Sequence, residues 1–245
     1  MEFSRDAEMM RGGYFDNYYM QLISNIQALK GSAPVIIQDA RNKIDLAASF
    51  DQWDKVIVSY TDPEGDVKDR SSKSFGGKVL QDRTGNNDIV EAKATNDTEN
   101  IYFYVRCAAD ISEFDLNNSW MQLFVNTNNN STDGWYGYDF LINAAPIDAN
   151  TTTVAACSSA DGVLSTAEVG KVNYRIEGAE MMISVPLSML GIEDHKEIYV
   201  EFKWADADKN KKYTTMEDFY TYGDVAPLGR LNWIYQNYIP SQIKE

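Results

Sequence analysis

The spacing of apolar residues changes character once along the chain. Over 14–30, Tyr18, Tyr19, Leu22, Ile23, Ile26 and Leu29 recur at three- and four-residue steps, which predicts one amphipathic helix. Gly31-Ser32-Ala33-Pro34 ends it, because Gly suits a helix exit and Pro cannot continue the turn. After about residue 44, short β-branched and aromatic runs alternate with Asn/Asp/Gly/Ser turns. They predict strands at 56–61, 89–95, 101–108, 120–126, 138–143, 153–157, 172–176, 181–185 and 198–204. Asn96-Asp97-Thr98-Glu99-Asn100 and Glu177-Gly178-Ala179 read as hairpin loops. One further helical turn is predicted at 186–191, with Pro186 at its entry and Gly191 at its exit.

These elements predict an all-β fold: a two-sheet antiparallel β-sandwich of the jelly-roll or immunoglobulin-like kind with an N-terminal amphipathic helix. The sandwich is expected over 44–245. Residues 1–43 are expected to be the remnant of, or linker from, an upstream domain, since a lone amphipathic helix must bury its stripe against something. Alternation also sorts one strand by face. Ile101, Phe103, Val105 and Cys107 should point into the core, while Tyr102, Tyr104 and Arg106 share the opposite face. That second face suits either a sugar platform or a surface covered by the N-terminal segment or another domain.

Charge narrows the partners. Asp and Glu outnumber Lys and Arg by 37 to 22, and a net charge of −15 with no basic block would repel nucleic acid and anionic membranes. A neutral glycan or a hard cation fits that field better. No apolar run approaches the ~18–20 residues of a membrane span, so no membrane insertion is expected. Met1-Glu-Phe-Ser-Arg-Asp carries no apolar export core, and the chain reads as starting within a longer protein that is extracellular or at the cell surface. Cys107 and Cys157 fit either two buried thiols or one bridge.

Enzyme signatures are missing. The single histidine, His195, sits in a polar turn, which leaves no material for a His-based triad or a multi-histidine zinc site. With 37 acidic residues no carboxylate pair stands out for glycosidic chemistry, and no catalytic residue is expected in this chain. The densest segment runs from Trp120 to Phe140. Asn126, Asn128 and Asn130 at alternate positions, with Asp133 beyond them, make an oxygen-rich loop that fits either structural calcium or a plain Asn-rich turn. Around it lie Trp120, Trp135, Tyr136 and Tyr138, and later Trp204 with Asp206 and Asp208. Flat rings beside Asp, Asn or Arg106 suit a pyranose, whose C–H faces stack on aromatic planes while its hydroxyls need polar partners at the rim. Trp and Tyr in a sandwich are usually core, so any one of these rings suits the core better, with one or two expected to line a site.

Several runs resemble a known family. Asn100-Ile-Tyr-Phe-Tyr-Val-Arg106, Trp120-Met-Gln-Leu-Phe-Val125, Asp133-Gly-Trp-Tyr-Gly-Tyr-Asp-Phe140, Ile183-Ser-Val-Pro-Leu-Ser-Met-Leu-Gly191 and Phe202-Lys-Trp-Ala-Asp206 are similar to the family 9 carbohydrate-binding modules, within the wider DOMON-like sandwich group. The similarity covers roughly residues 44–238. It implies a two-sheet sandwich with structural calcium, and a non-catalytic accessory role that holds a parent glycoside hydrolase near a poly- or oligosaccharide. Trp135 and Trp204 are the nearest counterparts of the tryptophan pair with which better-known members clamp a glycan end. Haem-binding members of the group use Met and His ligands; with only His195 present, haem is not expected. The opening run from Glu2 to Leu22 is similar to the last barrel segment of large bacterial proteins that resemble glycoside hydrolases and carry this sandwich behind them.

Overall fold

The computed structural model describes residue 26 and residues 41–67, 70–73, 79–83, 85–229 and 231–238. The helix predicted over 14–30 lies outside the described residues apart from Ile26, which is helical and exposed. Among the described residues no helix is long and apolar enough to cross a membrane.

The chain is all-β. Its strands are β1 (Tyr60–Thr61), β2 (Arg70–Lys73), β3 (Val79–Asp82), β4 (Ile89–Asn96), β5 (Asn100–Cys107), β6 (Gln122–Asn126), β7 (Phe140–Pro146), β8 (Thr151–Ala160), β9 (Val163–Glu177), β10 (Glu180–Pro186), β11 (Glu197–Asp206), β12 (Asp224–Ala226) and β13 (Trp233–Tyr238). Eleven of them form one antiparallel sheet in the order β1-β4-β5-β10-β9-β8-β7-β6-β11-β12, with β13 also paired to β11; β2 and β3 form a separate ribbon. The predicted hairpins are both present. Asp97 closes the first, its Oδ1 accepting the N–H groups of Glu99 and Asn100, both at 2.7 Å. Gly178 turns the second at φ +59°. The turn at Leu187–Leu190 also forms, with Gly191 left-handed at its end.

In the strand order β8 and β9 lie between two wings of this sheet, and side chains of the two wings meet in one core. Phe103 of β5 meets Phe202 of β11 at 5.5 Å between ring centres. Tyr60 reaches across to Phe202 and Trp233 at 5.1 and 5.6 Å. As alternation predicts, Ile101, Phe103, Val105 and Cys107 all belong to this central core. Both cysteines are buried, unbridged thiols.

Each wing is also covered on its outer face, which is less usual for strands that alternate. On the first wing, Ile44, Phe50, Trp53 and Val56 pack over Tyr102, Tyr104 and Met182. Trp53 lies 5.2 Å from Tyr104 and its Nε1 donates to Met182 Sδ at 3.4 Å. Arg175 ties the covering segment down, donating to the carbonyls of Leu46 and Ala48. On the second wing the segment 207–222, with its helical turn Asp218–Thr221, lays Tyr213 and Phe219 over Phe124 and Leu141. Both faces of β6 are therefore sealed, and all five of its residues are buried.

Candidate functional site

The expected sugar-binding rings lie inside these layers. Relative exposure is 2% for Trp53, 4% for Trp120 and 0% for Trp135, Trp204 and Trp233, so no indole presents a face to solvent. Trp135 and Tyr138 are locked in the outer cluster around Phe124 and Phe219, with Trp135 Nε1 donating to Gly162 O at 3.2 Å and Tyr138 hydroxyl to Asn232 Oδ1 at 2.6 Å. Trp204 sits in the central core, and its Nε1 has no hydrogen-bond partner. The two indoles expected to form a clamp thus belong to different clusters on opposite faces of the second wing. The physical reason is plain: a covering segment gives a ring on an outward face as much apolar contact as the core gives an inward one.

The other expected contacts are dispersed. Tyr136 alone of the rings is exposed, at 52%, held at φ +54° and edge-on to Trp135 at 5.8 Å. Arg106 lies on the outer side of the first wing, paired with Glu91 at 3.1 Å. Asp208 accepts from Asn118 Nδ2 at 2.9 Å. The platform expected from Tyr102, Tyr104 and Arg106 is instead the covered surface. Tyr102 donates to Asp97 and Tyr104 to Glu180, both beneath the 44–56 segment.

The Asn-rich loop spends its oxygens on itself. Asn126 Oδ1 accepts the N–H groups of Asn128 and Asn129, Asn128 Oδ1 that of Asn130, and Asn130 Oδ1 that of Thr132. Asn128 and Asn130 both direct amide N–H groups at Asp133 Oδ2 at 2.9 Å. Donors pointing at that carboxylate are the geometry of a self-capped turn.

Oxygens do converge elsewhere. Asp62, Asp66 and Asp224 place one carboxylate oxygen each within 4.8 Å of one another, with Asp62 and Asp224 buried. Asp62 follows β1 and Asp224 opens β12, where it pairs in register with Asp206 at the end of β11. Asp88, just before β4, holds the turn that carries two of the three: its Oδ2 accepts the N–H of Gly65 at 2.7 Å and fixes the 62–66 turn. Backbone donors orient the buried pair. Asp224 accepts from Ile89 N at 2.6 Å and Val225 N at 2.8 Å, while Asp206 accepts from Met121 N and Asn87 N at 2.9 and 3.2 Å.

The electrostatics of this end of the sheet are strongly negative. Burial raises the Asp206 carboxyl to about 6, against the lowering effect of its hydrogen bonds. The Cys107 thiol is driven up by its own burial and then by the charges of Asp206, Asp224 and Asp88. Two ionised carboxylates within 4.8 Å of each other repel by at least about 3 kcal/mol at an effective dielectric near 20. A divalent cation offsets that repulsion, and an all-oxygen, carboxylate-rich set suits calcium or magnesium over softer metals. Sequence reading picked out Asp206 for a sugar hydroxyl and passed over Asp62, Asp66 and Asp224. The signal available was slight: an Asp-Pro-Glu-Gly-Asp turn at 62–66 whose partners lie far along the chain.

Comparison with protein-family models, with curated proteins and with solved structures gives no match to this chain.

Proposed function

We propose that the chain is a non-catalytic accessory β-sandwich, a structural docking module of a larger secreted bacterial glycan-degrading protein, with the two wings of its sheet acting as the two layers. The observation that carries this reading is the burial of all five indoles, none more than 4% exposed. A sugar platform needs a flat ring open to solvent beside polar atoms. Here the rings that would serve are used to hold covering segments onto both wings. The segment 44–56, through which the chain reaches the sheet from its N-terminal side, is itself one of those layers. Such an arrangement fits a module whose outer faces are closed by its own segments and which meets the upstream domain of the same polypeptide through the 44–56 layer.

The same reading gives the acidic end a structural cation, calcium by the hardness of its ligands, bound by Asp62, Asp66 and Asp224 and positioned by Asp88 and Asp206. The cation supplies charge neutralisation, and the protein's own residues fix where the loop, β4, β11 and β12 meet.

Carbohydrate recognition is the second reading, and the exposed ring of Tyr136 favours it. Calorimetric titration with a panel of mono-, oligo- and polysaccharides separates the two. The docking reading expects no saturable heat with any member. Saturable binding abolished by Tyr136→Ala would replace it with the carbohydrate reading.

A further inference from the structure

The described residues line a groove of about 570 Å³ at the edge of the central core. Its size lies within the range of small-molecule sites. Its walls are apolar: Ile111, Phe114, Leu116, Ile147 and Ile176, over the edges of Trp120 and Tyr174. Leu116 and Ile147 are 68% and 50% exposed, and both face this one groove.

The walls are fixed in place by the floor. Trp120 Nε1 donates to Ser112 O at 2.9 Å, tying down the 111–116 loop, and the Tyr174 hydroxyl donates to Asp148 O at 2.8 Å, tying down the 146–149 loop. Phe114 stands edge-on to Trp120 at 5.4 Å, and Trp120 to Tyr174 at 6.3 Å. Ser112 is anchored in turn by Asn87, whose Oδ1 accepts its N–H at 2.9 Å. A groove whose two loops are each bonded to its floor is preformed, so a ligand entering it has little ordering entropy to supply.

The polar inventory chooses the ligand. Both donors on the floor are already used on loop carbonyls, so a hydroxyl-rich ligand finds few N–H or O–H groups to accept from. Glu113 and Asp148 are the charged side chains among the described lining residues, and both are acidic. The Asn150 N–H, bonded to Asp148, holds that carboxyl below its usual range and keeps it ionised. Carboxylates at the rim attract a cation by charge, and the apolar walls take up an apolar body. The net charge of −15 steers cations toward it.

We propose that this groove is a binding site for a small organic cation with an apolar body, an arylalkyl- or branched alkylammonium, its body against Ile111, Phe114, Leu116 and Ile147 and its charge toward Glu113 and Asp148. This site does not rest on the docking reading; Asn87 joins it to the acidic end, donating its backbone N–H to Asp206 and accepting that of Ser112.

Titration of the whole chain with 2-phenylethylammonium, followed by amide NMR shifts, tests it against two near-isosteres, neutral 2-phenylethanol and anionic 3-phenylpropionate. The expected result is saturable binding of the cation near about 1 mM, the range for a ligand of this size, with shifts confined to 111–120, 146–149 and 174–176. The anion should bind at least about tenfold more weakly. The exposed-site variants Leu116→Lys and Ile147→Lys should each weaken the cation about tenfold with the amide spectrum otherwise unchanged, and Glu113→Gln should weaken the cation but not the alcohol. No saturable shift up to about 10 mM, equal affinity for cation and anion, or saturable binding only of a basic peptide such as Lys-Phe-Lys would each overturn the proposal.

Discussion

Withdrawing the cation from the acidic end is the perturbation with the clearest expected size. A ligand that binds only the folded state stabilises it by RT ln(1 + [L]/Kd), about 2.7 kcal/mol when present at about 100 times its Kd. In a chain of 245 residues, 1 kcal/mol moves the melting temperature by roughly 2–4 °C, so excess chelator should lower it by roughly 5–11 °C. The pH dependence supplies a sign. Asp206 titrates near 6 in the fold against 3.8 in its ordinary state. Between those values the folded state holds a proton that the unfolded state has released. Through this group, the cation-free protein therefore loses stability as pH rises from about 4 to 6, by up to about 3 kcal/mol. A calcium ion on Asp224, the register partner of Asp206, favours the ionised form of Asp206, so its stabilising increment should grow as pH rises through 6. Differential scanning calorimetry at pH 5 and pH 7, with calcium and with chelator, reads all four values. A melt unmoved by chelator at pH 7, or a calcium increment larger at pH 5 than at pH 7, refutes the reasoning.

Three further outcomes follow from packing. Trp53→Ala removes the largest ring of the layer over Tyr102, Tyr104 and Met182 and should cost about 3–5 kcal/mol in urea unfolding; a cost below about 1 kcal/mol would mean that the 44–56 layer contributes little. Gly223 has φ +49°, and a Cβ there would stand 1.8 Å from Asp206 O, so Gly223→Ala should shift the β11–β12 junction and weaken calcium affinity; an unchanged calcium isotherm would count against the placement of Asp224. Burial raises the Cys157 thiol to about 12 and Cys107 higher still, so neither should react with a thiol reagent at pH 8 until the protein unfolds; fast labelling of the native protein would contradict their burial.

Local pattern and tertiary covering were legible to different degrees. The 101–107 strand read correctly by face because alternation is a property of the strand itself, and its hairpin read correctly because Asp97 carries its own turn chemistry. Alternation says which side chains share a face. It does not say whether that face is wet. Tyr102, Tyr104, Trp135 and Tyr138 were open to two readings for that reason, and segments distant in sequence, 44–56 and 207–222, decided them. The long β9 was read only over 172–176, because residues 163–171 are mostly exposed, Ser/Thr/Gly-containing and lack a buried alternating face. The cation candidate was not legible at all as a motif. Its carboxylates come from residues 62, 66 and 224, supported by 88 and 206, and only the pairing of β11 with β12 and the turn after β1 bring them together.

The central claim is that the indoles are structural, and acrylamide quenching of tryptophan fluorescence tests it most directly. With Trp120 the most exposed at 4%, the native protein should be quenched several-fold less steeply than the same chain in denaturant, with no accessible fraction and no change on adding oligosaccharide. A native fraction of one indole or more that quenches as readily as the unfolded chain, and is protected by a sugar, would contradict it.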